Sequence, residues 1–237
     1  PDVLPSDIVG FSLYRKESGA FVYQPGAVMT NLLLADPSQQ EWGICGVALL
    51  AGDEHLYHAL KAQEQLYTLT VCGRDGADTA YEIGSLIQLI WGIKNPTAVV
   101  EAIASANTKI ITLTITEGGY NIDKAHGEFI LNNDHVQHDL KHPEEPTTVF
   151  GFVAAGLRKR MQAGHGPVTL LSCDNLQHNG NTARKAFTSF ITAQDRELAV
   201  WVESNVTFPN SMVDRITPAV TPADIARLNQ KNGTEDQ

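Results

Sequence analysis

The sequence predicts an α/β fold built on a mostly parallel, twisted sheet. Three observations predict it. Short apolar runs alternate with longer amphipathic stretches, as in consecutive βα units. Two of the runs, Lys109–Thr116 (KIITLTIT) and Val168–Ser172 (VTLLS), are continuous, as strands buried on both faces are. No internal repeat and no low-complexity block interrupts the alternation, and the 19 Gly and 11 Pro are spread as punctuation.

The elements follow in order. Asp7–Tyr14 is the first strand candidate. Glu17-Ser18-Gly19-Ala20-Phe21 is the Gly-bearing turn nearest to it, and a helix is expected from there to Leu34. Glu41–Leu50 reads as a buried strand. Asp53–Gln65 carries Leu56, Ala59, Leu60, Ala62 and then Leu66 at helical spacing. Tyr67–Val71 is β-rich, Gly73–Asp78 is a turn, and Tyr81–Trp91 is read as one further strand. Asn95-Pro96-Thr97 starts a helix to Ala104, with Asn95 as N-cap and Pro96 in the first helical position. Residues 121–147 are polar and turn-rich and read as a long excursion. Phe150–Gln162 is a helix ending at Gly164. Asn181–Ala193 and Asp195–Ser204 are two more, and TPADIARLNQ (221–230) is a last one.

The composition removes several function classes. The chain has 237 residues, 43% hydrophobic and 19% charged, enough for a sizeable core. A net charge of −10, from 17 Lys and Arg against 27 Asp and Glu, argues against nucleic acid and against an anionic membrane surface as partner. Cys45, Cys72 and Cys173 are too few and too scattered for a disulfide framework, which points to a reducing, cytoplasmic setting. No apolar run approaches the ~18 residues of a spanning helix. The start, PDVLPSD, has no signal-peptide n-region.

The candidate site residues stand after the strands, because ligands in open α/β sheets gather at the carboxyl ends. Glu117, in TLTITEGGY (112–120), is either a proton-transfer group in a cleft or a surface carboxylate before a Gly-Gly turn. Asn175, in LSCDNLQHNGN (171–181), either donates to a substrate oxygen or belongs to an Asx-rich loop that caps the next helix. Asp214, in FPNSMVDRITP (208–218), either binds polyol hydroxyls or pairs with Arg215. His135, His138 and His142 have a spacing open to metal binding, but they read as a surface loop. For a dinucleotide, Asp53 stands where a carboxylate accepts from a ribose 2′-hydroxyl and repels a 2′-phosphate. The glycine turn at 17–21 is a poor GxGxxG.

Six blocks, WGICGVALL, AQEQLYTL, TKIITLTITEGGY, TVFGFVAAGL, VTLLSCDNLQHNGN and VTFPNSMVDRITP, resemble in this order the polyol-specific long-chain dehydrogenases, from about Trp42 to the end. The resemblance implies a Rossmann-like nucleotide-binding domain over residues 1–220, with 221–237 beginning the linker to a helical C-terminal domain. It implies a metal-independent, NAD-linked enzyme interconverting a polyol and a ketose, most like mannitol 2-dehydrogenase (D-mannitol to D-fructose by hydride transfer). Fructuronate reductase and altronate oxidoreductase are the neighbouring alternatives.

The same resemblance implies roles. Asn175 polarises the reacting oxygen, Glu117 gates proton release, Asp214 binds substrate, and Asp53 with Gly19, Ala20 and Phe21 contacts the cofactor. Two departures stand out. The family's GxGxFHRAH loop is matched here by residues 17–26, with Glu17 for the first Gly and Tyr23-Gln24-Pro25 for Arg-Ala-His. Glu17 places a negative side chain where a pyrophosphate approaches, and Pro25 removes a donor, so weakened NAD binding is expected. The family's catalytic Lys, followed by an Asn and a His, belongs to the C-terminal domain, and Lys231 does not match it. The sequence thus also suggests a non-catalytic domain, truncated, with weak nucleotide binding or a protein partner, and an uncovered face prone to self-association.

Overall fold

The structure is a computed structural model that describes residues 10–15, 20–25, 31–36, 41–72, 78–123, 125–213 and 221–235. Ten strands are described: β1 Gly10–Arg15, β2 Ala20–Pro25, β3 Asn31–Asp36, β4 Glu41–Ala48, β5 Tyr67–Cys72, β6 Asp78–Ile83, β7 Leu86–Trp91, β8 Thr108–Leu113, β9 Val168–Ser172 and β10 Val206–Thr207. The helices are α1 Glu54–Ala62, α2 Pro96–Ala104, α3 Thr116–Gly119, α4 Asp134–Lys141, α5 Val149–Gln162, α6 Asn179–Gln194, α7 Arg196–Asn205 and α8 Pro222–Asn232, with a 3-10 turn at Ala51–Asp53 before α1.

Six strands form one sheet in the order β7-β4-β3-β8-β9-β10. β4 pairs parallel with β7, and β8 with β9 and β9 with β10, while β3 runs antiparallel to both β4 and β8. Since β4 and β8 both oppose β3, five of the six strands point the same way. The order matches the doubly wound 3-2-1-4-5-6 arrangement, whose direction of build reverses at the central strand. β1 and β2 form their own antiparallel ladder, as do β5 and β6.

The main core lies between this sheet and the helices. Phe150 stacks within 5.0 Å of Phe129 and of Phe187, and Phe190 closes the cluster. Ile111, Leu113, Leu170, Ala183, Ile191 and Leu198 are fully buried around it. α2 and α5 touch through Gly156, where a Cβ would lie 2.3 Å from Ile103, so only glycine permits the approach. A second cluster packs Leu60 of α1 on Ile44 of β4 and on Leu86 and Leu89 of β7.

Local signals set most helix starts. Asn95 Oδ1 accepts from Ala98 N at 3.1 Å with Pro96 in the first turn, as the sequence predicts. Thr148 caps α5 through Gly151 N, Asp195 caps α7 through Leu198 N, and Thr221 with Asp224 forms a capping box on α8. α8 folds back, with Lys231 Nζ 2.7 Å and Arg227 Nη1 3.4 Å from Asp78 of β6.

Four sequence expectations need correction. The stretch expected to run as a helix to Leu34 holds β2 and β3. Phe21, Val22 and Tyr23 are strand formers, and β3 has ladder partners on both sides, so pairing outweighs helix propensity there. The first strand candidate appears as β1, yet it pairs with β2 and not in the main sheet. The single strand expected over Tyr81–Trp91 breaks at Gly84-Ser85 into β6, which pairs with β5, and β7, which pairs with β4. The polar excursion contains α4. Asn133 caps it by accepting from His135 N and Val136 N, and it buries only Val136 and Asp139, too few positions for an apolar periodicity to show.

Candidate functional site

All five co-directional strands deliver their C-terminal ends to one edge of the sheet. Asp53 follows β4, Asn95 follows β7, Glu117 follows β8, Asn175 follows β9, and the 208–211 loop follows β10. The crevice of such a sheet opens where the order reverses, between β4 and β8 with β3 in the middle. The parallel pairing of β8 and β9, on which the site reading depends, is present, with Leu113 opposite Ser172. Glu117 and Asn175 therefore leave neighbouring strands side by side, and both side chains are exposed.

Glu117 sits in α3, a single helical turn rather than a Gly-Gly turn. The residue before it, Thr116, has φ +65°, a left-handed conformation that a β-branched side chain rarely adopts. His178 on the β9 side is also left-handed, at φ +55°. Between these loops lies Asp174, only 7% exposed. Its Oδ1 accepts from Thr116 N at 2.8 Å, and its Oδ2 accepts from Ile115 N at 3.2 Å and from the Tyr120 hydroxyl at 2.6 Å. The Tyr120 oxygen is also 2.6 Å from Ser172 Oγ. Burial pushes Asp174 above the ordinary carboxylate range and the Glu117 charge adds to it, against the hydrogen bonds from Tyr120, Ile115 and Thr116. Burial, then the Asp174 charge, likewise holds the Tyr120 phenol far above its ordinary value.

Buried Asn179, the first residue of α6, braces the floor of the site. Its Oδ1 accepts from Gly180 N and from Ser211 N, and its Nδ2 lies within reach of Ser172 O, Asp174 O and Ser211 Oγ. Gly180 is required because a Cβ there would lie 2.3 Å from Pro209 O. Thr114, at the end of β8, keeps a buried hydroxyl without a hydrogen-bond partner among the described residues.

Asp53 ends the 3-10 turn after β4, half-buried, with Oδ2 accepting from Leu50 N at 3.2 Å. Its neighbour Gly52 faces open space. Ala20 and Phe21 start β2, while Gly19 and Asp214 lie outside the described residues. The structure brings Glu117 and Asn175 to one place and sets Asp53 on the same edge. The sequence reading passed over Asp174 and Tyr120 and took Asn179 or Asn181 only as the cap of the next helix, whereas His178 holds the N-cap position without a side-chain bond and Asn179 faces the buried floor. Asp174 adjoins Asn175 in the same polar run, the one signal that pointed to it.

Elsewhere, burial holds the Cys45 thiol up at about 12 and the Cys173 thiol at about 11, so neither is a ready nucleophile. His138 Nδ1 is 3.0 Å from Asp139 and its ring stacks 5.0 Å from that of His142. Among the described residues no three potential ligands gather into a metal site, and no helix is long and apolar enough to cross a membrane.

Comparison with known proteins bears on these strand ends. The family described as "Mannitol dehydrogenase Rossmann domain" matches residues 23–237. Polyol:NADP oxidoreductase of Gluconobacter oxydans is 46% identical over 198 residues, covering 83% of this chain and 41% of that protein. D-mannonate oxidoreductase of Escherichia coli is 38% identical over 220 residues, covering 92% of this chain and 45% of that protein. The solved structure of mannitol 2-dehydrogenase of Pseudomonas fluorescens, a ternary complex with NAD and D-mannitol, superposes with a TM-score of 0.79 at 41% identity, over 83% of this chain and 40% of that one. The chain thus spans about two fifths of the length of these relatives. It belongs to the mannitol dehydrogenase family and carries that family's Rossmann domain.

Proposed function

We propose that this member of the mannitol dehydrogenase family is the nucleotide-binding part of an NAD-linked enzyme that interconverts a polyol and a ketose, with D-mannitol and D-fructose as the pair. The observation that carries the reading is the shared edge: Asp53 beside the switch point, and Glu117 and Asn175 on neighbouring parallel strands. Relatives acting on other polyols or on sugar acids keep those substrates as the second reading, favoured by the similarity to D-mannonate oxidoreductase.

The residues fit the cofactor at its adenosine end. The Asp53 carboxylate, half-exposed beside open space at Gly52, is placed to accept from a ribose 2′-hydroxyl, and its charge disfavours a 2′-phosphate. Thr114 offers its unpartnered hydroxyl at the crevice end of β8. The pyrophosphate end is weaker. Glu17 precedes Gly19 and places a negative side chain where a pyrophosphate would approach backbone N–H groups. Gly19, Ala20 and Phe21 are the residues proposed to approach it. When bound, the nicotinamide supplies the hydride acceptor or donor.

Asn175 donates its amide N–H to the substrate oxygen as charge develops on it. Glu117, exposed at the rim, exchanges the reaction proton with solvent. Asp214 holds substrate hydroxyls. Residues 1–220 make up the nucleotide-binding domain, 221–237 begin the linker beyond it with α8 seated on Asp78 of β6, and the working compartment is the cytoplasm.

The test is NADH binding by fluorescence titration, paired with NADH consumption in the presence of fructose. Binding that is weaker than micromolar, is reduced further in D53A and prefers NADH to NADPH supports the cofactor reading. If the chain turns over fructose, N175A lowers kcat by about 100-fold. Binding without turnover leaves a nucleotide-binding module, and the absence of both refutes the reading.

A further inference from the structure

We propose that Asp174 is a positioning residue of this site: its carboxylate clamps the loop bearing Glu117 to the loop bearing Asn175, so that the two strand ends present one fixed polar face. The inference rests on the proposed roles of Glu117 and Asn175, but its geometry stands apart from them.

Each of the three donors to the Asp174 carboxylate named above, Ile115 N, Thr116 N and the Tyr120 hydroxyl, belongs to the segment after β8. The carboxylate itself belongs to the segment after β9 and immediately precedes Asn175. Asp174 O is in turn tied to Asn179, and Cys173 N donates to Leu113 O, so the β9 side is rigidly seated. The β8 side is not self-supporting. α3 has four residues, fewer than a helix needs to hold itself. It begins at Thr116 in the left-handed region, a conformation that costs energy and persists only where its surroundings impose it. The 2.8 Å bond from Thr116 N to Asp174 is that constraint.

A neutral amide would not serve equally. Both carboxylate oxygens accept, and an Asn at this position would turn an NH2 toward either Thr116 N–H or the pair formed by Ile115 N–H and Tyr120. Among the described residues the carboxylate has only uncharged donors as hydrogen-bond partners, so its charge is buried at a cost in stability, at the point where the two site loops meet.

The test compares wild type, D174N and Y120F by amide hydrogen exchange, NADH titration and fructose reduction. In D174N the amides of Ile115 and Thr116 exchange about 10-fold faster or more, while Ile111 of β8 and Leu170 of β9 keep their rates. Y120F removes one donor and leaves the clamp, so its two amides speed up by a smaller factor of about 3. If D174N does not fold, the Y120F exchange decides. With turnover in the wild type, D174N lowers kcat by about 10-fold or more and leaves the NADH affinity unchanged, because Asp53 lies after a different strand. Unchanged exchange at Ile115 and Thr116 overturns the proposal whether or not the protein is active. So does a D174N kcat within twofold of an active wild type. A wild type with neither NADH binding nor turnover refutes the functional reading alone, and the exchange result then decides the clamp.

Discussion

Two buried carboxylates show how differently the same side chain can be used. Asp139, fully buried, accepts from Thr147 N and Oγ1 and from Thr148 N and Oγ1, and pairs with His138. Burial works to raise its pKa, but the bonds from His138, Thr148 and Thr147 outweigh it and hold the group below its ordinary value. Gly151 is packed so closely that a Cβ would lie 2.1 Å from Asp139 Oδ2. A group with a depressed native pKa stabilises the fold above the ordinary carboxylate range, and the contribution is lost as pH falls through its native value. Asp174, raised instead, contributes in the opposite sense, and its share is lost as pH rises through its native value. D139A strands the donors of two threonines and is expected to cost about 3 kcal/mol or more, with a flatter loss of stability below about pH 4 than in wild type. Thermal melts across an acid pH series check both. Nothing in the sequence around Asp139 marks it. A lone acid between His138 and Leu140 reads as part of a polar surface loop until Thr147 and Thr148 fold over it.

At the scale of elements, what was legible is what local chemistry controls. Asn95, Pro96 and Asp195 mark helix starts within a residue or two of where they occur. The Asn95 cap is a single 3.1 Å bond, so N95A is expected to cost about 1 kcal/mol, or about 2–4 °C in Tm for a chain of this size. Differential scanning calorimetry reads the shift directly. KIITLTIT and VTLLS were legible because strands flanked on both sides are apolar without interruption. β6 and β7 ran together in the sequence because nothing but Gly84 separates two β-rich runs that belong to different sheets. β2 and β3 were misread because a glycine-bearing turn suggested a helix, whereas pairing partners distant in sequence decided for strands.

For the whole molecule, the strand order gathers every candidate group on one edge and leaves apolar side chains uncovered elsewhere. Trp42 and Ile87 are about half exposed on β4 and the edge strand β7, and Leu50 and Ile93 follow at their ends. An edge strand with an apolar face favours association, so the chain is expected to self-associate as concentration rises. Sedimentation velocity over a concentration series tests this, and I87K is expected to shift the distribution toward the monomer. Ile87 lies across Gly43 on the surface of the sheet, so a lysine there reaches solvent without entering the core.

The sequence by itself determined the fold class, the two central site strands, the capped helices and the family, because each rests on residues adjacent in the chain or on blocks that keep their order. Its candidates Glu117, Asn175 and Asp53 needed only their positions after strands. The tertiary structure alone decided that five strands share a direction, that β3 opposes them, that the ends of β8 and β9 are joined through Asp174 and Tyr120, and that Asn179 ties the β9 end to the loop after β10. Those contacts span 30 to 60 residues of chain. No local pattern records them, because burial and hydrogen-bond satisfaction are settled only when the segments meet.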